Sequence, residues 1–300
     1  RTSMTISNAA PGKDVSAEDL VSKFPLAAKK SPDHVTRFSV RGVEFGGPLI
    51  PVMAGPNTVE NEPMIVETAK AVRDAGGHIL RGGAFKPLTF PYRSEKYFEP
   101  REQGLEWLAK AREASGLPII TEVMSTETIP AVAAVADILQ IGTRNMQNYP
   151  LLTAVAKTGK PIMLKRGFGA SLRDWLGAAE YILIEGNTQV ILCERGVVAP
   201  HTHRGSSRFL LDLQVVPAAK EVTHLPVVTD PSHATFWRPW VQPMALASIG
   251  AGADGIMIEV HPDPSNAAVD PLQPVDYAEF ASMMKAMDAV ARAVGRKVLV

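Results

Sequence analysis

The chain has 300 residues, 46% of them hydrophobic, and its 31 basic and 31 acidic side chains leave a formal net charge of +0. A chain of this size can bury a large core, and balanced charge offers neither a broad nucleic-acid surface nor a membrane-attracting face. No apolar run approaches the roughly 20 residues of a membrane span. The single cysteine, Cys193, excludes an internal disulfide framework and a cysteine-rich zinc site, and fits a reducing cytoplasm.

Residues 1–35 are read as a polar N-terminal arm, mobile or docked on the surface, and residues 36–300 as one domain. Residues 36–43, followed by Gly46-Gly47, read as a short β-hairpin that could cap the bottom of a barrel. A regular rhythm then begins. Short apolar runs suited to strands buried on both faces occupy 49–54, 78–80, 118–122, 137–141, 161–165, 189–193, 225–229 and 255–259. Segments with helical spacing lie between and after them, at 62–75, 103–114, 126–136, 149–157, 172–185, 211–222, 243–251 and 275–294. Helix-ending Gly or Pro introduces several strands, as at Gly76-Gly77, Gly116-Leu117-Pro118 and Gly159-Lys160-Pro161. Eight strand–helix units predict a (β/α)8 TIM barrel with a short N-terminal hairpin, with a doubly wound open sheet as the alternative.

Polar residues cluster just after the strands, where a barrel brings them to one mouth. Leu80-Arg81-Gly82-Gly83-Ala84-Phe85-Lys86-Pro87 shows the pattern best: an apolar run ends in two cations beside glycine-freed backbone, as at an anion-binding strand end. A solvated basic loop is the alternative for that stretch alone. Arg81, Lys86, Arg144, Lys165, Arg166 and Arg195 would together place five or six cations in the mouth. Such density calls for a substrate with more than one anionic group, for example a phosphate and a carboxylate. His233, Glu259 and Asp270 form a second group that could hold a divalent metal or relay protons, while Asp230 reads as a turn or cap residue.

Seven motifs carry a family resemblance: Ala54-Gly-Pro, Leu80-Arg-Gly-Gly-Ala-Phe-Lys-Pro87, Gln140-Ile-Gly-Thr-Arg-Asn145, Leu164-Lys-Arg-Gly167, Leu192-Cys-Glu-Arg-Gly196, Asp230-Pro-Ser-His233 and Glu259-Val-His-Pro262. With them in this order over about residues 36–298, the chain resembles compact 3-deoxy-D-arabino-heptulosonate 7-phosphate (DAHP) synthases, which share a superfamily with 3-deoxy-octulosonate 8-phosphate synthases. The resemblance implies a (β/α)8 barrel that condenses phosphoenolpyruvate (PEP) with an aldose phosphate, giving a 3-deoxy-2-ulosonate phosphate and inorganic phosphate. By motif position, Arg81, Lys86, Arg144, Lys165 and Arg195 would grip PEP. Asn57, Pro87, Thr89 and Asp270 would hold the aldehyde. Lys86 is the candidate for protonating the aldehyde oxygen, His233 is another acid–base candidate, and Glu122 could orient the attacking water. The resemblance also implies a cytoplasmic homodimer or homotetramer without nucleic-acid or membrane partners. No large regulatory extension is apparent in this stretch.

Two positions depart from the DAHP synthase pattern. Where Ala-Gly-Pro normally continues with a metal-binding Cys, this chain has Asn57, as in the metal-independent octulosonate synthases. No cofactor is therefore expected; weak divalent metal binding through His233, Glu259 and Asp270 is the alternative. The family's Lys-Pro-Arg-Thr is here Lys86-Pro87-Leu88-Thr89, which removes a bidentate donor for the aldose phosphate. Arg93, Lys96 or the His201-Thr-His-Arg204 to Arg208 loop could compensate. Erythrose 4-phosphate is the acceptor by nearest resemblance. The competing readings are another aldehyde or a non-catalytic PEP-binding barrel.

Overall fold

The computed structural model describes residues 5–7, 14–86, 99–205, 207 and 209–300. Strands β1 (Val52–Gly55), β2 (Ile79–Arg81), β3 (Ile119–Glu122), β4 (Ile138–Ile141), β5 (Ile162–Lys165), β6 (Val190–Glu194), β7 (Val227–Thr229) and β8 (Gly255–Glu259) pair in parallel, each with its chain neighbour. Pairing of β8 with β1, Ile256 beside Val52, closes the barrel and rules out the open sheet. The surrounding helices are α1 (Glu62–Asp74), α2 (Arg101–Ser115), α3 (Ile129–Val135), α4 (Tyr149–Ala156), α5 (Leu172–Leu183), α6 (Val215–Val222), α7 (Arg238–Gly250) and α8 (Tyr277–Ala293).

Local chemistry sets several boundaries. Asn61 caps α1 by accepting from the Met64 amide at 2.9 Å. Ser171 with Asp174 and Asp276 with Glu279 form capping boxes at α5 and α8. Gly116 ends α2 at φ 78°, where a Cβ would be strained. Helix α6 begins later than its apolar spacing suggested. The residues just before it are used elsewhere: Phe209–Leu210 pairs with Val197–Val198 as an antiparallel ribbon, and Asp212 binds Arg166. A short helix, Pro231–Thr235, stands between β7 and α7 and was not expected.

Alternation along the strands separates two cores. Met53, Ile79, Ile120, Ile138, Met163 and Met257 fill the barrel interior, while Leu80, Ile119, Leu139, Leu164 and Ile258 face the helices. The expected hairpin forms from Phe38–Val40 and Val43–Phe45, joined by Arg41 and Gly42 at φ 47° and 88°. Positive φ at both turn residues matches the twist of the paired strands. Val40 and Phe45 enter the interior cluster and plug the barrel floor.

The arm is docked in its second half. Leu20, Phe24, Ala27 and Ala28 are buried, and the Leu26 and Ala27 amides donate to Glu180 Oε1 at 2.8 and 2.6 Å. Cys193 lies inside the barrel, where burial pushes its thiol up to about 12 and leaves it unreactive. Among the described residues, no helix is long and apolar enough to cross a membrane.

His78, at the start of β2, makes an acid limb. Burial lowers its pKa to about 4, and its Nδ1 accepts from the Val52 amide at 3.0 Å, which requires the neutral ring. The unfolded chain takes up this proton near pH 6.5 and the folded chain only near pH 4, so stability falls as pH drops through that window. The loss is on the order of 2–3 kcal/mol. Thermal melts from pH 7 to 4 should show a shallower decline for His78→Gln than for the native chain; equal slopes would remove His78 as the cause.

Candidate active site

Period-two geometry builds the mouth. On five of the strands, two residues beyond an inward apolar side chain, the same strand face carries a polar one. Arg81 follows Ile79, Glu122 follows Ile120, Gln140 follows Ile138, Lys165 follows Met163 and Glu259 follows Met257. Asp230 stands in the same relation to Val228, just past β7. The polar ring therefore sits on an apolar floor, where charges feel little water. Gly55 lets β1 approach β2, since any Cβ there would strike the Arg81 carbonyl.

A continuous chain of contacts crosses the mouth. Lys165 Nζ donates to Asp230 Oδ2 at 2.6 Å, and His233 Nδ1 lies 2.8 Å from the same oxygen. His233 Nε2 is 3.4 Å from Arg81 Nη2, which donates to Asn57 Oδ1 at 2.7 Å. Asn57 Nδ2 then donates to Asp270 Oδ2 at 2.8 Å. Arg81 Nη1 lies 3.9 Å from Glu259 Oε2, which also accepts from Gln273 Nε2.

Electrostatics fix the protonation states. Burial holds the His233 imidazole well below its ordinary range despite Asp230, and Lys165 and Arg81 add to the effect. Burial works against the Asp230 carboxylate, yet its contacts with His233 and Lys165 bring it well below the usual carboxylate range. Because the imidazole is neutral, the Lys165 ammonium is the charge that keeps Asp230 ionised. Its Nδ1–H then points at Asp230 and its Nε2 lone pair at Arg81. Burial also lowers the Lys86 ammonium, with Glu122 opposing that and Arg81 adding to it. Glu259 is pushed up to about 8 by the same desolvation, against the pull of Arg81.

Beside this chain, Arg144 and Arg195 line a cavity of about 480 Å³ with Phe168, Phe209, Thr202 and Ser207. The Arg195 guanidinium packs on two stacked rings, 5.0 Å from the Phe168 centroid and 4.4 Å from that of Phe209. Among the described residues, Arg81 Nη1 and Arg195 Nη1 are buried with no hydrogen-bond partner. Buried guanidinium nitrogens in that state are prepared for an anion.

Placement of the expected residues divides clearly. Asn57, Arg81, Lys165, His233, Glu259 and Asp270 converge directly, and Arg144 and Arg195 form the adjoining anion cavity. Glu122 accepts from Gln140 at 3.2 Å beneath the mouth, and its charge reaches Lys86. Arg166 is not a mouth cation. It faces out of the barrel and is used by Glu194 at 3.0 Å, Asp212 at 2.8 Å and the Ala170 carbonyl at 2.8 Å. Asp230 is more than the expected cap: it accepts from the His233 amide at 3.1 Å while also binding Lys165. The His201 loop does reach the mouth through Thr202 and Ser207, while Arg204 lies 3.4 Å above the Trp237 ring. Pro87, Leu88, Thr89, Arg93, Lys96 and Arg208 lie outside the described residues. Gln140, Gln273, Phe168 and Phe209 were not anticipated, although strand alternation alone points Gln140 inward.

The amide of Asn57 donates to Asp270 Oδ2, so that oxygen faces a donor, and the Asn57 oxygen accepts from Arg81 Nη2. Among the described residues, no group of three or more His, Cys, Asp or Glu could hold a metal ion.

Fold and mouth together define a (β/α)8 enzyme that handles a multiply anionic substrate. Residues 35–294 match the DAHP synthetase I family, and the chain belongs to it. It is 39% identical over 275 residues to phospho-2-dehydro-3-deoxyheptonate aldolase of Thermotoga maritima, covering 92% of this chain and 80% of the relative. It is 31% identical to 2-dehydro-3-deoxyphosphooctonate aldolase of Nitratidesulfovibrio vulgaris, covering 80% of this chain and 91% of that one. A truncated 3-deoxy-D-arabino-heptulosonate 7-phosphate synthase from Thermotoga maritima superposes with a TM-score of 0.83 at 38% identity, covering 92% of this chain and 99% of that structure. A crystal structure of the same name and source as the first relative gives 0.84 at 38% identity, over 91% of this chain and 78% of that one. Membership makes this a carbon–carbon bond-forming enzyme that condenses PEP with an aldose phosphate.

Proposed function

We propose that the mouth runs this condensation without a divalent metal, with erythrose 4-phosphate as acceptor. The observation that carries the reading is that, among the described residues, two buried guanidinium nitrogens, Arg81 Nη1 and Arg195 Nη1, lack a hydrogen-bond partner in a mouth that also holds Lys165. PEP brings a carboxylate and a phosphate. In this reading Arg144 and Arg195 take the phosphate in their shared cavity, while Arg81, Lys86 and Lys165 take the carboxylate.

C3 of PEP attacks the aldehyde carbon and a new C–C bond forms. Lys86 gives its proton to the aldehyde oxygen as that oxygen gains charge. Asn57 and Asp270, already joined by a hydrogen bond, orient the aldehyde. Water, oriented by Glu122, adds at C2, and the C2–O bond to phosphate breaks as inorganic phosphate leaves. The His233 Nε2 lone pair is placed to accept a proton during that addition. Pro87 and Thr89 complete the aldehyde subsite in this reading. A cytoplasmic homo-oligomer belongs to the same proposal.

Phosphate release from PEP and erythrose 4-phosphate tests both parts. Turnover should persist in excess chelator and gain nothing from added divalent metal. Loss in chelator with recovery on metal addition would sink metal independence. PEP binding without turnover on erythrose 4-phosphate would instead move the acceptor assignment to another aldose phosphate, with Leu88 as the reason.

A further inference from the structure

The loop after β1 and the loop after β8 meet at a second place beside the Asn57–Asp270 contact. Glu60, three residues past Asn57, accepts through Oε1 from His261 Nε2 at 3.0 Å and from the Ala268 amide at 2.8 Å. The other ring nitrogen, His261 Nδ1, accepts from the Asp263 amide at 3.0 Å. With Nδ1 accepting, Nε2 carries the proton that faces Glu60, and both ring nitrogens are occupied. Burial would raise the Glu60 carboxyl, but the His261 and Ala268 bonds outweigh it and hold the group below its ordinary range. This is an ionised carboxylate gripping one loop at both of its arms.

That loop carries Asp270, whose backbone sits in the left-handed region at φ 52°. A non-glycine residue there gives up roughly 1 kcal/mol or more, and the conformation persists only where the surroundings over-determine it. Glu60 supplies such a constraint, since it fixes the backbone two residues before Asp270. Arg144 and Arg195 follow β4 and β6, and Lys165 ends β5, away from the β1–β8 seam. A change in the loop contact therefore reaches the Asn57–Asp270 pair first, Arg81 only through its bond to Asn57, and the PEP phosphate cavity last.

We propose that Glu60 and His261 are positioning residues which clamp the β8–α8 loop onto the β1–α1 loop and so set the Asn57–Asp270 pair against the acceptor aldehyde. The inference rests on the reading of Asn57 and Asp270 as the aldehyde subsite. Four variants test it: Glu60→Ala, His261→Asn, His261→Gln and, as reference, Asp270→Asn. The amide oxygen of Asn can replace Nδ1 but cannot reach Glu60, whereas Gln places an N–H donor near the position of Nε2. Glu60→Ala and His261→Asn should lower kcat/KM for the aldehyde by about tenfold or more. PEP affinity, titrated without aldehyde, should stay at the native value, and His261→Gln should recover most of the loss. A parallel fall in PEP affinity and thermal midpoint would overturn the proposal in favour of a merely structural contact. So would native aldehyde kcat/KM in Glu60→Ala while Asp270→Asn is impaired. Native aldehyde kcat/KM in Asp270→Asn would defeat the subsite reading itself, and the clamp with it.

Discussion

Lys86→Met is expected to lower kcat by about 10²–10⁴-fold, the range that a positioned proton donor contributes. The side chain keeps its length and loses its proton, so the aldehyde oxygen must gain charge with no acid beside it. Lys86 also belongs to the PEP carboxylate grip, and its loss should raise KM for PEP. Lys86→Arg separates the two roles. A guanidinium restores the positive charge, but its pKa above 12 makes it a poor acid. PEP affinity should return in Lys86→Arg while kcat stays low. The native enzyme should also show an alkaline limb in kcat. Burial lowers the Lys86 pKa, so the protonated acid is lost as pH rises through a value below the ordinary 10.5. That limb should be absent in Lys86→Arg. The measurements are phosphate release across pH and PEP titration monitored separately. A Lys86→Met enzyme with kcat within tenfold of native would show that the proton comes from elsewhere.

The barrel was legible because its strands are short, apolar on both faces and punctuated by helix-ending glycines. The mouth was legible for a related reason: a run that ends in Arg81, Lys165 or Glu259 places its last side chain on the inner face. The same alternation, applied strictly, shows why Arg166 was misjudged. It is one residue past Lys165 and so points the other way, into a pair with Glu194. Asp230 was underestimated because an Asp before Pro satisfies every local expectation of a cap, and it does cap the short helix. Its bond to Lys165 spans 65 residues and leaves no local trace. The Glu60–His261 contact is of the same kind, set by loop packing across the β1–β8 seam. The partners of Asn57, Arg81 and Asp270, became visible only when the end of β2 and the loops after β1 and β8 were brought together.

Asp230→Asn should separate binding from turnover in the same sense as Lys86→Arg, but through a lost counter-charge. The native carboxylate is fully buried and serves two partners, Lys165 Nζ at 2.6 Å and His233 Nδ1 at 2.8 Å. An amide of the same shape removes the counter-charge and places an N–H donor against one of them. Removing one partner of a buried ion pair typically destabilises a protein by about 3–5 kcal/mol, because the remaining charge is left uncompensated. Here a substrate anion can compensate it. Lys165 without Asp230 gains from any carboxylate that enters, so PEP should bind at least as tightly to the variant as to the native enzyme. The thermal shift produced by PEP should accordingly be larger in Asp230→Asn. Turnover should fall on the order of 10²-fold, because His233 loses the acceptor that fixes its tautomer and ring orientation. Acid sensitivity gives a third readout. The folded Asp230 pKa is depressed, so its stabilisation is present above the ordinary carboxylate range and is lost as pH falls toward the folded value. That part of the acid limb should disappear in the variant. Weaker PEP binding with unchanged kcat would show instead that Asp230 orders the cations for substrate and does not act through His233.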